Sequence, residues 1–399
     1  MIDAVGAIDV IDPGLYAAGG IPHDRFRRLR AAAPVYRHAG EPEFWAVTRH
    51  ADVVRVSRDS RTFSVRSRGA MFLEYTDEEL AVQRSMMMNM DPPEHTRTRS
   101  LVNRGFTPRL TALLEPRLRA VCEELAGQAL RRGEGDFVAE IAAPFPARVL
   151  CELMGIPAAD RHRVEQWSNR LTGFDDPGAS VEDAQAAAAE MFLYLDELVA
   201  RRRQDPRDDL IGRLLLPGAY GEALTAAECN LLLIQIAVAG NETTRNAASG
   251  GMLAFFAHPA QWRRLLDDRS LLPAAVDEIV RWVSPVNQFR RTATRDTELG
   301  GQPIARGDKV VVFYSSANFD ERVFADPGVF DIGRRPNPHV GFGGGGAHYC
   351  LGSHLARLQL SVLIETIADK MPGLAPAGPA TRVRSNFING VRSMPVRFR

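Results

Sequence analysis

Between Thr225 and Pro259 the chain reads TAAECNLLLIQIAVAGNETTRNAASGGMLAFFAHP, with apolar residues recurring at three- and four-residue spacing over some thirty residues. A helix of this composition is apolar on nearly every side as far as Ala239-Gly240. It therefore has to cross the middle of a fold rather than lie on its surface. The stretches around it follow the same period. From about Thr107 to Thr294 the pattern is almost wholly helical, as in RLTALLEPRLRAVCEELAGQALRRG and ASVEDAQAAAAEMFLYLDELVARRRQ.

Strand signals lie at the two flanks. APVYRHAGEPEFWAVT reads as two strands about a Gly-Glu-Pro turn, and RHADVVRVSRD returns to helical spacing. After Thr294, DTELGGQPIARGDKVVVFY reads as a hairpin-like pair, followed by an irregular stretch to Phe342. A helix is expected from near Leu351, and SNFINGVRSMPVRF closes the chain with an Asn-Gly hairpin turn. No repeat or linker interrupts the pattern. The expectation is one domain over residues 1–399, mainly α, with a smaller β-rich region at roughly 30–65, 295–345 and 380–399.

Composition excludes several classes. Lys plus Arg and Asp plus Glu both number 49, so the formal charge is zero and nothing global favours nucleic acid or an anionic membrane. The N-terminal MIDAVGAIDVIDPGLYAAGG carries aspartates and no basic leader, which reads as neither signal peptide nor membrane anchor; a soluble cytoplasmic protein is expected. The four cysteines, Cys122, Cys151, Cys229 and Cys350, are scattered without CxxC pairing, against a disulfide framework or a cysteine-rich zinc site.

Three of these cysteines sit in apolar helical patterns. Cys350 instead follows four consecutive glycines in VGFGGGGAHYCLG. Gly341, Gly343 and Gly346 satisfy a dinucleotide fingerprint, but RRPNPH precedes them where a strand is needed and a continuing helix follows, so that reading fails. A thiolate at a helix N-terminus suits a transition metal, and side-chain-free backbone before it admits a broad flat ligand. Haem with a cysteinate axial ligand matches both requirements.

At this point the sequence resembles the cytochrome P-450 monooxygenases, whose haem loop runs Phe-Gly-x-Gly-x-(His or Arg)-x-Cys-x-Gly. Phe342, Gly343, Gly346, His348, Cys350 and Gly352 carry the resemblance, with one extra residue between Phe342 and Cys350. AGNETT is similar to the family's oxygen-activating segment, which implies Ala239 and Gly240 beside the haem and Glu242 and Thr243 as a proton-delivering acid and alcohol. The lesser alternative is that both are plain helix residues, with Thr243 bonding back to a carbonyl. EIVR resembles the family's E-x-x-R pair and implies a buried structural role for Glu278 and Arg281. DPPEHTRTR resembles the propionate helix, so His95 and Arg99, with Arg291 and His348, are expected to bind the haem propionates.

The resemblance extends from about Pro34 to Phe398 and is especially close to bacterial members that oxidise cholesterol side chains and methyl-branched lipids, which share AGNETTRN, SANFDE and the lengthened glycine loop. It implies haem b (iron protoporphyrin IX) as cofactor, O2 as co-substrate, and hydroxylation of an unactivated C–H bond of a hydrophobic small molecule such as a sterol, terpenoid or branched lipid. No flavin or iron-sulfur module fits in the remaining length, so a ferredoxin and ferredoxin reductase are expected to bring the electrons. Arg104, Arg109, Arg334, Arg335 and Arg357 are candidates for a basic docking face. Met71, Phe72, Met86, Met87, Ile234, Val238, Val286, Phe289 and Phe387 are candidates for the substrate pocket, the methionines being equally open to ordinary core packing. The alternatives are a tailoring oxidase of a natural-product pathway, acting on a polyketide or carrier-bound peptide, and a haem-binding sensor.

Overall fold

The computed structural model describes residues 7–172, 180–218 and 223–399, which leaves Met1–Gly6 of the expected leaderless terminus and Ala179 of the second helical stretch outside the described residues. The chain forms two compact units. One takes the residues up to Thr96 with Asp277–Cys350 and Arg382–Gly390; the other takes Arg97–Val276, Leu351–Thr381 and Val391–Arg399.

The first unit is built on a five-stranded sheet in the order Val35–His38, Phe44–Val47, Lys309–Phe313, Gln288–Ala293, Phe63–Ser64. The Gly-Glu-Pro turn joins the first two strands, antiparallel with Val35 opposite Val47, as the sequence predicts. Lys309–Phe313 lies centrally, parallel to Phe44–Val47 and antiparallel to Gln288–Ala293. Its Val310 and Val312 join Val35, Trp45, Val47 and Phe63 on one face, while Val311 and Phe313 join Phe26, Leu29 and Phe44 on the other. Burial on both faces is the reason KVVVF is an unbroken apolar run rather than an alternating one.

Two expectations fail in this unit. Gln288–Ala293 is a strand, although the helical stretch was expected to run to Thr294. Its partner is about twenty residues further on in sequence, and such pairing leaves no mark on local periodicity. The predicted Asn389-Gly390 hairpin turn is absent too: Val383 N–H donates to Gly390 O across a wider loop, Asn389 N–H donates to Pro285 O, and Ile388 bridges Val286. Tertiary pairing has captured the backbone that a two-residue turn would have used. The predicted hairpin after Thr294 does form, between Thr297–Leu299 and Gln302–Ile304. Gly300 and Gly301 form its turn at φ 57° and 77°, a conformation that suits glycine at both positions.

The second unit is mainly helical. The central helix runs unbroken for 32 residues, Ala226–Ala257, and starts with a capping box in which Thr225 and Glu228 satisfy each other's backbone N–H groups. It packs against the helices Pro144–Met154, Val181–Gln204 and Ser353–Lys370. Gly240 is a close approach: a Cβ there would stand 3.2 Å from the Leu150 side chain of the Pro144–Met154 helix, which would have to give by a few tenths of an ångström. Pro395–Arg397 pairs with Glu134–Asp136 and Ala375–Pro376, which ties the chain end to this unit.

Candidate active site

The four cysteines separate by environment. Cys122, Cys151 and Cys229 are buried, and desolvation pushes the Cys122 and Cys229 thiols up to about 12 and about 11, where they stay protonated and inert. Cys350 alone is only partly buried. Its backbone N–H donates to Phe342 O at 2.9 Å, closing the glycine loop on itself. The helix beyond begins at Ser353 with Gly352 as its N-cap residue, slightly later than the predicted Leu351.

Two glycines of the loop have a purpose the sequence did not suggest. A Cβ at Gly344 would lie 2.6 Å from Ser57 Oγ, and one at Gly346 would lie 2.6 Å from Ser57 O. Gly346 also sits at φ 75°. These residues are bare because the His50–Arg58 helix presses against them, a contact set by the tertiary fold. Gly343, at φ 100°, meets nothing closer than His348 O at 3.7 Å.

Basic side chains gather in the same unit. The imidazoles of His95 and His348 lie 4.4 Å apart, centroid to centroid, and His95 is buried. Arg291 is 4% exposed, makes one hydrogen bond, from Nη1 to Arg290 O at 2.8 Å, and among the described residues has no carboxylate partner. An unneutralised guanidinium is costly in a protein interior unless an anion meets it. A partly buried thiol, two imidazoles and a buried guanidinium with spare donors form the donor set that a flat iron chelate with two carboxylates requires. Arg99 lies one turn beyond His95 in the helix Glu94–Val102.

Glu278 and Arg281 are both fully buried, and the pair is bidentate at 2.8 Å for each hydrogen bond. Glu278 also accepts from Arg334 Nε, Asn337 Nδ2 and Asp331 N–H. Arg334 thus belongs to this buried network and is removed from the predicted docking face. Arg335 is exposed, and Arg104 donates to Leu216 O and Pro217 O.

The small residues Ala239-Gly240 also suggest a locally opened hydrogen-bond ladder in the central helix, and no such opening occurs. The helix is continuous, and Thr243 Oγ1 donates to Ala239 O at 2.6 Å, since a hydroxyl four residues on competes well for that carbonyl. Glu242 is 6% exposed; its Oε1 accepts from Asn246 Nδ2 at 2.8 Å, and its Oε2 faces Arg245 Nη1 at 3.3 Å without an aligned hydrogen bond. Sequence reasoning missed Arg245 and Asn246, although their spacing of three and four residues from Glu242 was a legible signal.

The candidate pocket residues fall into groups. In the first unit Phe289 and Phe387 meet edge to face at 5.5 Å, and Val286 bridges Ile388 beside them. All three stay partly exposed while Asn287 and Gln288 between them are buried. Met86 and Met87 are partly buried, in a segment folded round buried Asn89, whose Oδ1 accepts from Ala70 N–H. Phe72 is a correction: it packs against Phe44 on the sheet face with Val311 and Phe313, opposite the face that carries Phe289. In the second unit Ile234 and Val238 are partly exposed on the central helix.

A partly buried thiol set apart from three buried ones, in a unit that also buries His95 and a guanidinium with no carboxylate partner among the described residues, fits a haem-thiolate protein. The cytochrome P-450 family model matches residues 174–369. A steroid C26-monooxygenase of Mycobacterium tuberculosis is 41% identical over 402 residues, covering 98% of this chain and 92% of that one. A methyl-branched lipid omega-hydroxylase of the same organism is 41% identical over 358 residues, covering 88% and 83%. A cytochrome P-450 of Mycobacterium marinum, solved with pseudoionone, superposes with a TM-score of 0.91 at 38% identity, covering 98% of this chain and 99% of that one. The chain belongs to the cytochrome P-450 family. It is a haem b monooxygenase that hydroxylates a hydrophobic substrate with O2 and electrons from redox partners. Among the described residues no helix is long and apolar enough to cross a membrane.

Proposed function

We propose that this cytochrome P-450 hydroxylates an alkyl end of a bulky, mostly apolar lipid, a sterol or a methyl-branched chain, in the cytoplasm, with electrons from a ferredoxin and its reductase. The observation that carries this reading is the apolar wall of Val286, Phe289 and Phe387, held partly open beside fully buried neighbours, in a chain 41% identical to a steroid and to a branched-lipid hydroxylase. On this reading Met86 and Met87 extend that wall, Ile234 and Val238 of the central helix are further substrate contacts, and residues 1–399 act as one catalytic domain.

Cys350 is then the iron ligand, and haem supplies the oxygen activation once bound. His95, Arg99, Arg291 and His348 would neutralise its propionates, and Phe342, Gly343, Gly352, Ala239 and Gly240 are the other residues that would hold it. Thr243 turns its hydroxyl from Ala239 O toward the reacting oxygen, and Glu242 reloads it with a proton after letting go of Arg245. Glu278 and Arg281 hold the fold and take no part in the chemistry.

Titration of the ferric protein with sterols and branched lipids should move the haem from low to high spin, and turnover with a surrogate ferredoxin should hydroxylate an alkyl terminus. Silence from every such ligand alongside a strong response to a carrier-bound peptide or polyketide would replace this reading with that of a biosynthetic oxidase. Cys350→Ser should abolish the red-shifted Soret band of the reduced carbon monoxide complex; an unchanged band would remove Cys350 as ligand.

A further inference from the structure

The chain enters the glycine loop through Pro338–Phe342, a stretch that belongs to no helix or strand. Two of its backbone donors are nonetheless met by side chains. Val340 N–H donates to Asn318 Oδ1 at 2.7 Å, and Gly341 N–H donates to His339 Nδ1 at 3.2 Å. Asn318 is fully buried; its Nδ2 donates to Ser284 Oγ at 2.8 Å and its carbonyl accepts from Arg281 Nη1. It belongs with the Glu278-Arg281 network and is part of the fold.

His339 is held differently. Gly341 N–H needs the lone pair on Nδ1, so the imidazole proton is on Nε2, which donates to Asp277 Oδ1 at 3.3 Å. The His339 side chain is 4% exposed, whereas Asp277 is half-buried. The imidazole also lies 5.6 Å from the Phe342 ring, centroid to centroid, and Phe342 meets Tyr349 edge to face at 6.5 Å. Gly341 itself is pressed against the helix Leu272–Val283, where a Cβ would stand 2.6 Å from Val280 Cγ1 and 2.9 Å from Val280 O. The contact with Val280 and the hydrogen bond to His339 together leave Gly341 one place. Phe342 follows it directly, and Phe342 O is the acceptor for Cys350 N–H. A carboxylate, an imidazole, a backbone amide and a carbonyl thus stand in series between Asp277 and Cys350.

We infer that His339, oriented by Asp277, is a positioning residue for the iron ligand: by accepting from Gly341 N–H it fixes the carbonyl and ring of Phe342, and through them the place of the Cys350 sulfur. Groups that orient a ligand without touching the metal tune the metal's chemistry. A cysteinate axial ligand pushes electron density onto iron, and a loosened one donates less, which favours ferrous iron and eases loss of the thiolate on reduction. The inference rests on Cys350 as the iron ligand, as in the function proposed above.

The test compares haem-loaded wild type with His339→Leu, His339→Asn and Asp277→Ala. It reads the reduction potential of the iron, the fraction of the reduced carbon monoxide complex that keeps the red-shifted Soret band, and the melting temperature. Leucine cannot accept from Gly341, while asparagine carries Oδ1 on Cγ where the imidazole carries Nδ1, and falls short of Asp277. His339→Leu should raise the potential by about 59 mV, a tenfold shift toward ferrous iron for one electron, and lose much of the red-shifted band. His339→Asn should recover most of both, and Asp277→Ala should move both the same way by less. A wild-type potential and band in His339→Leu overturn the assignment whatever its melting temperature, since a merely structural histidine gives that result. A shift as large in His339→Asn as in His339→Leu also refutes it, because the accepted N–H would then not be what matters. Wild-type values in Asp277→Ala remove the orienting role of Asp277, and decide against the whole inference where His339→Leu yields no soluble haem-loaded protein. Absence of the red-shifted band from wild type itself would remove Cys350 as ligand and the inference with it; an intact wild-type band confines a failure to His339.

Discussion

Arg281 and Arg291 are both buried arginines of the β-rich unit, and they are solved in opposite ways. All five N–H donors of Arg281 are engaged: Nε and Nη2 bind the Glu278 carboxylate, Nη1 reaches Asn318 O and Pro327 O, and Nη2 also reaches Val329 O. Arg291 spends one donor on Arg290 O. A guanidinium with every donor satisfied by the chain is a structural part. One that the fold buries and leaves largely unsatisfied is a binding site for an anion the chain does not contain.

The largest effect that follows is on Arg281. Arg281→Lys loses the fork that spans a carboxylate and three carbonyls, and breaking a buried pair of this type costs about 3–5 kcal/mol, a large share of an ordinary domain's stability. Little soluble, haem-loaded protein is expected, and a thermal melt within a few degrees of wild type would erase the distinction between the two arginines. Arg291→Leu should do the reverse, folding with a melting temperature close to that of wild type while binding haem about 10- to 100-fold more weakly, the worth of a charge-assisted hydrogen bond or two. Haem titration of the apoprotein measures it, and unaltered affinity would make Arg291 structural after all.

The contrast continues along the central helix, where the Arg245 and Asn246 side chains hold Glu242 but Thr243 meets only a backbone carbonyl, Ala239 O. Thr243→Ala removes no tertiary contact, so stability should hold while product formed per NADPH consumed falls about tenfold for want of a proton donor. Full coupling in that variant would leave Thr243 as a helix residue and nothing more.

The smallest effect belongs to Arg290, adjacent to Arg291 on the opposite sheet face. With Lys309 it pairs Glu74, and its Nη1 also donates to Leu73 O. Burial alone would raise the Glu74 pKa, but the hydrogen bond from Lys309 and the charge of Arg290 outweigh it, and the net shift is downward from 4.5. A carboxylate with a depressed folded pKa stabilises above its unfolded pKa and loses that contribution as pH falls through the folded value. Because Glu74 is largely exposed, the contribution is under about 1 kcal/mol. Glu74→Gln should lower the melting temperature slightly at neutral pH and not at all in strong acid; a gap that persists in acid would mean Glu74 acts through packing.

How much of this was legible beforehand depends on the range of the interactions. The 32-residue central helix, its capping box, the hairpin after Thr294 and the first strand pair follow from contacts within a few residues. The Gln288–Ala293 strand did not, because its partner lies beyond an intervening hairpin. Gly344 and Gly346 were visible as glycines, but the His50–Arg58 helix that requires them is nearly three hundred residues away in the chain. Arg334 looked like a surface cation in RRPNPH and is a third member of the Glu278 network.

The sequence by itself determined the class of chemistry. A lone cysteine behind a glycine loop, an acid-alcohol pair on an apolar helix and an i,i+3 Glu-Arg pair are local patterns, and each carries its meaning in residue type and spacing. The tertiary structure decided which like residues do unlike work. Alternation along one strand sends Arg290 to Glu74 and leaves Arg291 buried with no carboxylate among the described residues, and packing around one helix leaves Ala239 exposed while Ile236 and Ala237 beside it are sealed. Burial and pairing are sums over neighbours distant in the chain, and a spacing rule read along one segment contains no term for them.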